Sequence, residues 1–150
     1  MNGQMCYNPA QILLVEDSPG DVRLTIEALR ESKMGNVLHV VGDGVEAMSF
    51  LRKKGRYAHA PRPTVILLDL NLPKKDGREV LAEIKGDEEL KRIPVVVLTT
   101  SEADDDIRKA YDCHANCYVT KPAGLHEFVK VVKAIENFWL RIVRLPCERE

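Results

Sequence analysis

Near its middle the chain reads Thr64-Val-Ile-Leu-Leu-Asp69-Leu-Asn71-Leu-Pro73-Lys-Lys-Asp-Gly77. The first five residues of this stretch are apolar or β-branched and run without alternation into one carboxylate, with Pro63 before the run. Such a run is typical of a strand buried on both faces, as in the centre of a parallel sheet. Asp69 therefore belongs at the carboxyl end of a strand, which is the edge where ligands bind in open α/β sheets.

Further apolar runs alternate with amphipathic segments along the whole chain. Hydrophobic periodicity and turn residues predict five strands, near residues 11–15, 37–41, 64–68, 94–98 and 116–119. They also predict five helices, over about 19–32, 45–54, 80–86, 104–111 and 125–144. In the second helix we expect Val45, Ala47, Met48 and Leu51 to face the core.

Strict alternation of strand and helix indicates an α/β fold with right-handed crossovers. The expected architecture is a doubly wound, five-stranded parallel sheet of order 2-1-3-4-5 with helices on both faces. The chain has 150 residues, which is enough for one sizeable core and not for two. We therefore expect a single domain over residues 1–150, with its core at about 11–138 and a helical extension to about residue 144.

The bulk composition excludes several functional classes. The chain has 22 basic and 23 acidic residues without a basic stripe, which argues against a nucleic-acid surface. No apolar run is long enough to span a membrane, and the first ten residues lack a signal-peptide pattern. The four cysteines suit reduced thiols. We expect a cytoplasmic protein.

Acidic side chains follow two strands that the predicted order makes neighbours. Glu16 and Asp17 follow the first strand, and Asp69 follows the third, so the three carboxylates should converge. Carboxylates this close repel each other unless some are protonated or a cation lies between them. Ligands that offer only oxygen favour a hard ion, so the sequence predicts a Mg²⁺ site.

Two more polar residues end strands at the same edge, Thr99 on the fourth and Lys121 on the fifth. A fixed cation, a hydroxyl group and a divalent ion around one carboxylate are what phosphoryl transfer onto that carboxylate requires. We therefore interpret Asp69 as a phosphoacceptor.

These residues, each at a strand end and in this order, resemble the receiver domain of two-component response regulators, which has the CheY-like, flavodoxin-like fold. The resemblance covers about residues 11–138. It implies a Mg²⁺ site formed by Asp17, Asp69 and the backbone carbonyl of Asn71, with Glu16 acting through water. It also implies a phosphoryl donor, a sensor histidine kinase.

The same resemblance assigns roles to three residues around the phosphoryl group. It implies that Lys121 pairs with the bound phosphoryl group and that Thr99 donates a hydrogen bond to it. Tyr118 is similar to the aromatic switch of the family, which turns inward when Thr99 moves. The protein would then be a signalling protein that catalyses its own phosphorylation and slow dephosphorylation, and not a metabolic enzyme.

A narrower similarity is carried by residues 61–63, 71–80, 116–118 and 135–140. These segments resemble the stand-alone regulators that serve cyanobacterial and bacterial phytochrome histidine kinases. That similarity implies a phytochrome-type kinase as partner and no output domain.

Two other functional classes compete with this interpretation. A Mg²⁺-dependent phosphatase with an aspartyl nucleophile would carry a second acid two residues after the first, where this chain has Asn71. A receiver-like binding module that works without phosphate would not need the complete acidic pocket. Flavin or nucleotide binding is disfavoured because no glycine-rich phosphate loop follows the first strand.

Two further clusters invite interpretation. Cys113, His114 and Cys117 could suggest zinc, but no second cluster has zinc-like spacing, so packing thiols are the better interpretation. The acidic run over 104–106 is typical of a solvated helix start.

The last helix is longer than the strands and should extend past the sheet. Its apolar residues form two lines and not one. We therefore expect an exposed apolar surface near Phe138, Trp139 and Ile142 that pairs with a second subunit in a homodimer, although one wide core-facing stripe with a frayed end would give the same pattern.

Overall fold

The computed structural model describes residues 9–31 and 35–146, and the predicted fold is confirmed. Five strands form one parallel sheet of order β2-β1-β3-β4-β5. The strands are β1 (Ala10–Val15), β2 (Asn36–Val41), β3 (Val65–Leu68), β4 (Val95–Thr99) and β5 (Cys117–Thr120). The helices are α1 (Pro19–Arg30), α2 (Gly44–Leu51), α3 (Gly77–Gly86), α4 (Asp104–Asp112) and α5 (Leu125–Asn137).

The two faces of the sheet each carry a hydrophobic core, because successive strand residues point to opposite sides. Leu13, Val15 and Ile66 pack on the side of α2 and α3. Ile12 and Leu14 pack on the side of α1 and α5. All four residues of β3 are buried, as the uninterrupted apolar run predicts, so Asp69 follows a strand fixed from both sides.

The second helix is shorter than predicted and presents a different face. It ends at Leu51 and not at Lys54, because the chain turns at Lys53, which has a left-handed φ of 55°. A short 3₁₀ turn follows over Gly55–Tyr57. The prediction that Val45 faces the core is wrong, since Val45 is exposed while Ala47, Met48 and Leu51 are buried. Helical geometry places Val45 about 200° from Ala47, on the solvent side.

The first and last helices also differ from their predicted ends. Helix α1 ends at Arg30, with Glu31 as its C-cap, and the predicted end at Ser32 lies outside the described residues. Helix α5 ends at Asn137 and passes into a π-helical turn over Phe138–Ile142. The predicted continuation to Arg144 is wrong, because Val143 has extended backbone angles.

The structure also bears on the prediction about membranes. Among the helices of residues 9–31 and 35–146, none is both long and apolar enough to cross a bilayer.

Candidate functional site

Backbone hydrogen bonds between neighbouring strand ends hold the polar residues of the site at one edge of the sheet. The amide of Asp69 donates to the carbonyl of Val15 at 3.1 Å, which fixes the end of β3 beside the end of β1. The amide of Lys121 donates to the carbonyl of Thr99 at 2.7 Å, which joins the ends of β5 and β4. The edge predicted from the strand order is therefore the place where the site residues meet.

The three predicted acidic residues converge. Glu16, Asp17 and Asp69 each offer a carboxylate oxygen, and these three atoms lie within 4.8 Å of one another. Glu16 and Asp69 are buried, while Asp17 is exposed. Within the described part of the chain this is the one group of three or more acidic, histidine or cysteine side chains that could hold a metal ion. Its donors are all oxygen, which fits a hard divalent cation.

Lys121 lies among the carboxylates as a buried cation. Its Nζ donates to Glu16 Oε1 at 2.5 Å, to Asp21 Oδ2 at 2.8 Å and to Asp69 Oδ2 at 3.2 Å. The lysine side chain is 5% exposed. Since a buried charge is tolerated only when it is paired, these contacts fix both the charge and the position of the ammonium group.

The environment shifts the pKa of two of these groups. Burial raises the pKa of Glu16 to about 7, helped by the charge of Asp69 and opposed by the hydrogen bond from Lys121. Burial by itself lowers the pKa of Lys121, but hydrogen bonds to Asp21 and Glu16, with the charges of Glu16 and Asp69, raise it above its ordinary value. The site therefore holds a permanent cation and, without a metal, one carboxyl group that takes up a proton near neutral pH.

Thr99 contributes a hydroxyl group that has no partner within the protein. The residue is completely buried, and its Oγ1 is the one buried side-chain polar atom of the described residues without a hydrogen bond. An unsatisfied buried hydroxyl costs free energy and calls for an explanation. A hydroxyl group at the end of β4, beside the strand that carries Asp69, is suited to donate to a ligand that enters the pocket.

The loop after β3 lies close to the sheet because Gly77 has no side chain. The amide of Asn71 donates to Asp69 Oδ1 at 3.3 Å, and Asn71 itself is exposed. The amide of Gly77 donates to the carbonyl of Leu70 at 2.9 Å. A Cβ atom at Gly77 would lie 2.6 Å from the Cα of Leu70 and would also meet the carbonyl oxygen of Asp69, so the position requires glycine.

Tyr118 lies on β5, half-buried against the core on the α2 and α3 side. Its hydroxyl donates to the carbonyl of Ser101 at 3.0 Å. Ser101 in turn donates its hydroxyl to Asp106 at 2.6 Å. The aromatic residue predicted as a switch is thus bonded to the loop between β4 and α4.

Asp106 departs from the expectation of a solvated acidic run. Asp104 and Asp105 are exposed, but Asp106 pairs with Arg78 of α3 at 3.0 Å. Hydrogen bonds from Ser101 and Arg78 lower the pKa of the Asp106 carboxyl group. The sequence gives no signal for this pair, because it depends on how α3 and α4 lie side by side.

The zinc interpretation of Cys113, His114 and Cys117 has no support in the structure. Cys113 packs against the core on one face of the sheet, and Cys117 packs against the core on the other face. Both are free thiols. The two sulfur atoms therefore belong to separate packing environments, as ordinary packing thiols do.

The apolar residues of the π-helical turn that follows α5 are only partly covered. Phe138 is 47% exposed and Ile142 is 60% exposed. Trp139 is half-buried against the core that includes Cys117, and its ring meets that of Phe138 edge to face at 5.4 Å. The predicted apolar surface is present at Phe138 and Ile142, while Trp139 is shared with the core.

Asp21 is the site residue that the sequence did not reveal. Asp21 lies in the first turn of α1, where an acidic side chain interacts favourably with the helix dipole. From the sequence alone, this position explains the residue and indicates no further role. The contact with Lys121 joins residues 100 positions apart and depends on how far the lysine side chain reaches across the site.

A doubly wound sheet with a buried acid, a paired lysine and a free hydroxyl at its switch point defines a class, the phosphoryl-accepting receiver domains. The family model described as the response regulator receiver domain matches residues 12–133. The chain belongs to the response regulator receiver domain family.

Individual relatives are similar over nearly the whole chain. Response regulator Rcp1 from Synechocystis is 56% identical over 139 residues, which are 93% of this chain and 95% of Rcp1. The crystal structure of the Mn²⁺-bound form of Rcp1 has a TM-score of 0.90 and covers 93% of this chain and 100% of that one. The crystal structure of the phosphorylated cyanobacterial phytochrome response regulator RcpA, 57% identical, has a TM-score of 0.91 at the same coverage.

Proposed function

We propose that this response regulator accepts a phosphoryl group on Asp69. The observation that carries the proposal is the surroundings of that carboxylate. Asp69 is buried at the end of β3, its Oδ2 lies 3.2 Å from the Lys121 ammonium, and the unpartnered Thr99 hydroxyl ends the next strand. The phosphorylated state of the relative RcpA supports the same chemistry.

The donor set of the site fits Mg²⁺ as cofactor. Asp17, Asp69 and the backbone carbonyl of Asn71 would hold the ion, and Glu16 would act through water, as the family resemblance implies. The ion would neutralise negative charge on the phosphoryl oxygens and on the carboxylates. The Mn²⁺-bound state of Rcp1 supports a divalent ion at this kind of site.

The protein's own side chains then carry the transfer. A carboxylate oxygen of Asp69 forms a bond to phosphorus as the bond from phosphorus to the leaving group of the donor breaks. The Lys121 ammonium offsets charge on the phosphoryl oxygens, and the Thr99 hydroxyl donates to one of them. Because the Lys121 ammonium is already held beside Asp69, little reorganisation of this cation is needed when charge develops on the phosphoryl group.

Phosphorylation would be read out through the loop that follows β4. Movement of Thr99 toward the phosphoryl group shifts that loop, to which Tyr118 is bonded through the carbonyl of Ser101. The phosphoryl group thereby favours one of two pre-existing states, with Tyr118 turned inward. The Arg78–Asp106 pair would oppose this shift, because it ties α4, which follows the loop, to α3.

A sensor histidine kinase of the phytochrome type is the proposed donor. The similarity to Rcp1 and to the phytochrome response regulator RcpA supports this partner. The transfer would take place in the cytoplasm, where such a kinase meets ATP.

A homodimer through the end of the last helix is the remaining proposal. The exposed side chains of Phe138 and Ile142 lie on a surface whose burial in a second copy would be favourable. Sedimentation at micromolar concentration should show a dimer, and Phe138→Glu should shift it to monomer. Monomer in the unchanged protein, with and without phosphoryl donor, would contradict the proposal.

Phosphotransfer from purified kinases tests the function directly. A phytochrome-type kinase labelled on its histidine should pass the label to the unchanged protein within seconds to minutes and not to Asp69→Asn. An unrelated histidine kinase serves as the control donor. Equal transfer from both kinases would refute the phytochrome assignment, and label on Asp69→Asn would refute the role of Asp69.

A further inference from the structure

Lys121, at the centre of the site, has a third carboxylate partner that lies on a helix and not at a strand end. Lys121 contacts Asp69 and Glu16, which follow β3 and β1, and also Asp21 of α1. The Asp21 contact, at 2.8 Å, is shorter than the Asp69 contact at 3.2 Å. The ammonium group is therefore held from the side of α1 as well as from the sheet.

The backbone around Asp21 is firmly placed. Its amide donates to the Ser18 side chain at the start of α1, and its carbonyl accepts from the Thr25 hydroxyl at 2.8 Å. Thr25 is a buried residue of the same helix, so this bond stabilises the first turn of α1. The Asp21 carboxylate therefore reaches Lys121 from a backbone whose position is fixed.

Helix-dipole stabilisation alone does not explain the side chain. An acid that serves only the dipole needs to lie near the free amides of the first turn. The Asp21 carboxylate instead accepts a charge-assisted hydrogen bond from a lysine 100 residues away, and its side chain is 29% exposed. Asp21 therefore contacts a lysine that also contacts Asp69.

Asp21 also stands apart from the acidic group that fits a metal ion. The three carboxylates within 4.8 Å of one another are those of Glu16, Asp17 and Asp69, and Asp21 is not among them. When Asp69 carries a phosphoryl group and the other acids of that group face the ion, Asp21 remains available to the lysine alone. It can hold the ammonium in place throughout the transfer.

We propose that Asp21 is a positioning residue for phosphoryl transfer, which holds the Lys121 ammonium beside Asp69. The inference rests on the proposed function, since it assigns Asp21 a part in phosphorylation of Asp69. A cation that is fixed before the reaction stabilises the developing charge better than one that must be recruited from a flexible side chain.

The test measures the rate of phosphorylation by acetyl phosphate with Mg²⁺, which needs no kinase surface. Asp21→Asn keeps the shape of the side chain and removes its charge. Glu27→Gln, on the same helix, removes the same charge from an exposed residue that pairs with Arg30, so it controls for long-range electrostatics. Both changes are also made in a Lys121→Met background, and urea midpoints verify that every variant is folded.

We expect Asp21→Asn to slow phosphorylation about fivefold relative to Glu27→Gln, and to have no effect once Lys121 is absent. An unchanged or faster rate in Asp21→Asn would overturn the inference. The same loss in the Lys121→Met background would also overturn it, because Asp21 would then act without the lysine. A failure of the proposed function is distinguishable, since the unchanged protein would then gain no phosphoryl group on Asp69.

Discussion

Replacing Lys121 by methionine should destabilise the metal-free protein far more than an ordinary surface substitution does. The lysine is the one cation in contact with Glu16, Asp21 and Asp69 in the described structure. Methionine keeps most of the side-chain volume but offers no charge or donor. The variant would therefore leave two buried carboxylates, those of Glu16 and Asp69, without a compensating cation.

The size of this destabilisation follows from the burial of the contacts that Lys121 makes with Glu16 and Asp69. Removing one partner of a buried ion pair costs about 3–5 kcal/mol. Protonation of Glu16 offsets part of this cost, because its pKa is already about 7 and loses the lowering effect of Lys121. The loss should therefore be about 3 kcal/mol at pH 6 and about 5 kcal/mol at pH 8.

Urea unfolding in EDTA at the two pH values measures this loss. Lys133→Met is the matched control, because Lys133 pairs with Glu31 at the surface, where such pairs contribute below about 1 kcal/mol. Mg²⁺ at millimolar concentration should restore more stability to Lys121→Met than it adds to the unchanged protein, since the uncompensated acids bind it more tightly. A loss within about 1 kcal/mol of the control at pH 8 would show that Lys121 does not compensate the buried charges of Glu16 and Asp69.

Three further outcomes follow from the same geometry. Gly77→Ala should lower the free energy of unfolding by about 2–3 kcal/mol, because its Cβ would clash with the backbone of Leu70. The control Gly86→Ala, at the end of the same helix, places its Cβ in open space and should be neutral or stabilising. Equal urea midpoints for the two variants would contradict this. Asp17→Asn should raise the free energy of unfolding of the metal-free protein by about 0.5–1 kcal/mol, because it reduces the repulsion between the carboxylates of the site. It should also weaken Mg²⁺ binding about tenfold, as measured by calorimetry. A lower urea midpoint in EDTA would contradict the first expectation. Because the folded-state pKa of Glu16 is raised from 4.5 to about 7, the stability it contributes is full below pH 4.5 and lost as pH rises through 7. Metal-free Glu16→Gln should lack that decline, which is worth about 3 kcal/mol, and an unaltered pH profile would contradict the raised pKa of Glu16.

The parts of the fold that the sequence predicts are those set by local pattern. The apolar run before Asp69 predicts a strand buried on both faces, and β3 is buried at every residue. Chain order and strand ends alone place Glu16, Asp17 and Asp69 together. The reason is that parallel strands with right-handed crossovers leave few arrangements of five strands.

The features that the sequence did not predict depend on side-chain reach or on single backbone angles. Asp21 joins the site only because the Lys121 side chain spans from β5 to α1. The early end of α2 depends on one left-handed residue, Lys53, which no glycine or asparagine marks in advance. Val45 was misassigned because an apolar residue at a helix start need not lie on the buried face.

The most direct test of the account is the site of phosphorylation after incubation with acetyl phosphate and Mg²⁺. Intact mass and peptide mapping should show one phosphoryl group, located on Asp69, in the unchanged protein. The gain should vanish in EDTA and in Asp69→Asn. An equal gain in Asp69→Asn, or a phosphoryl group mapped to another residue, would contradict the account.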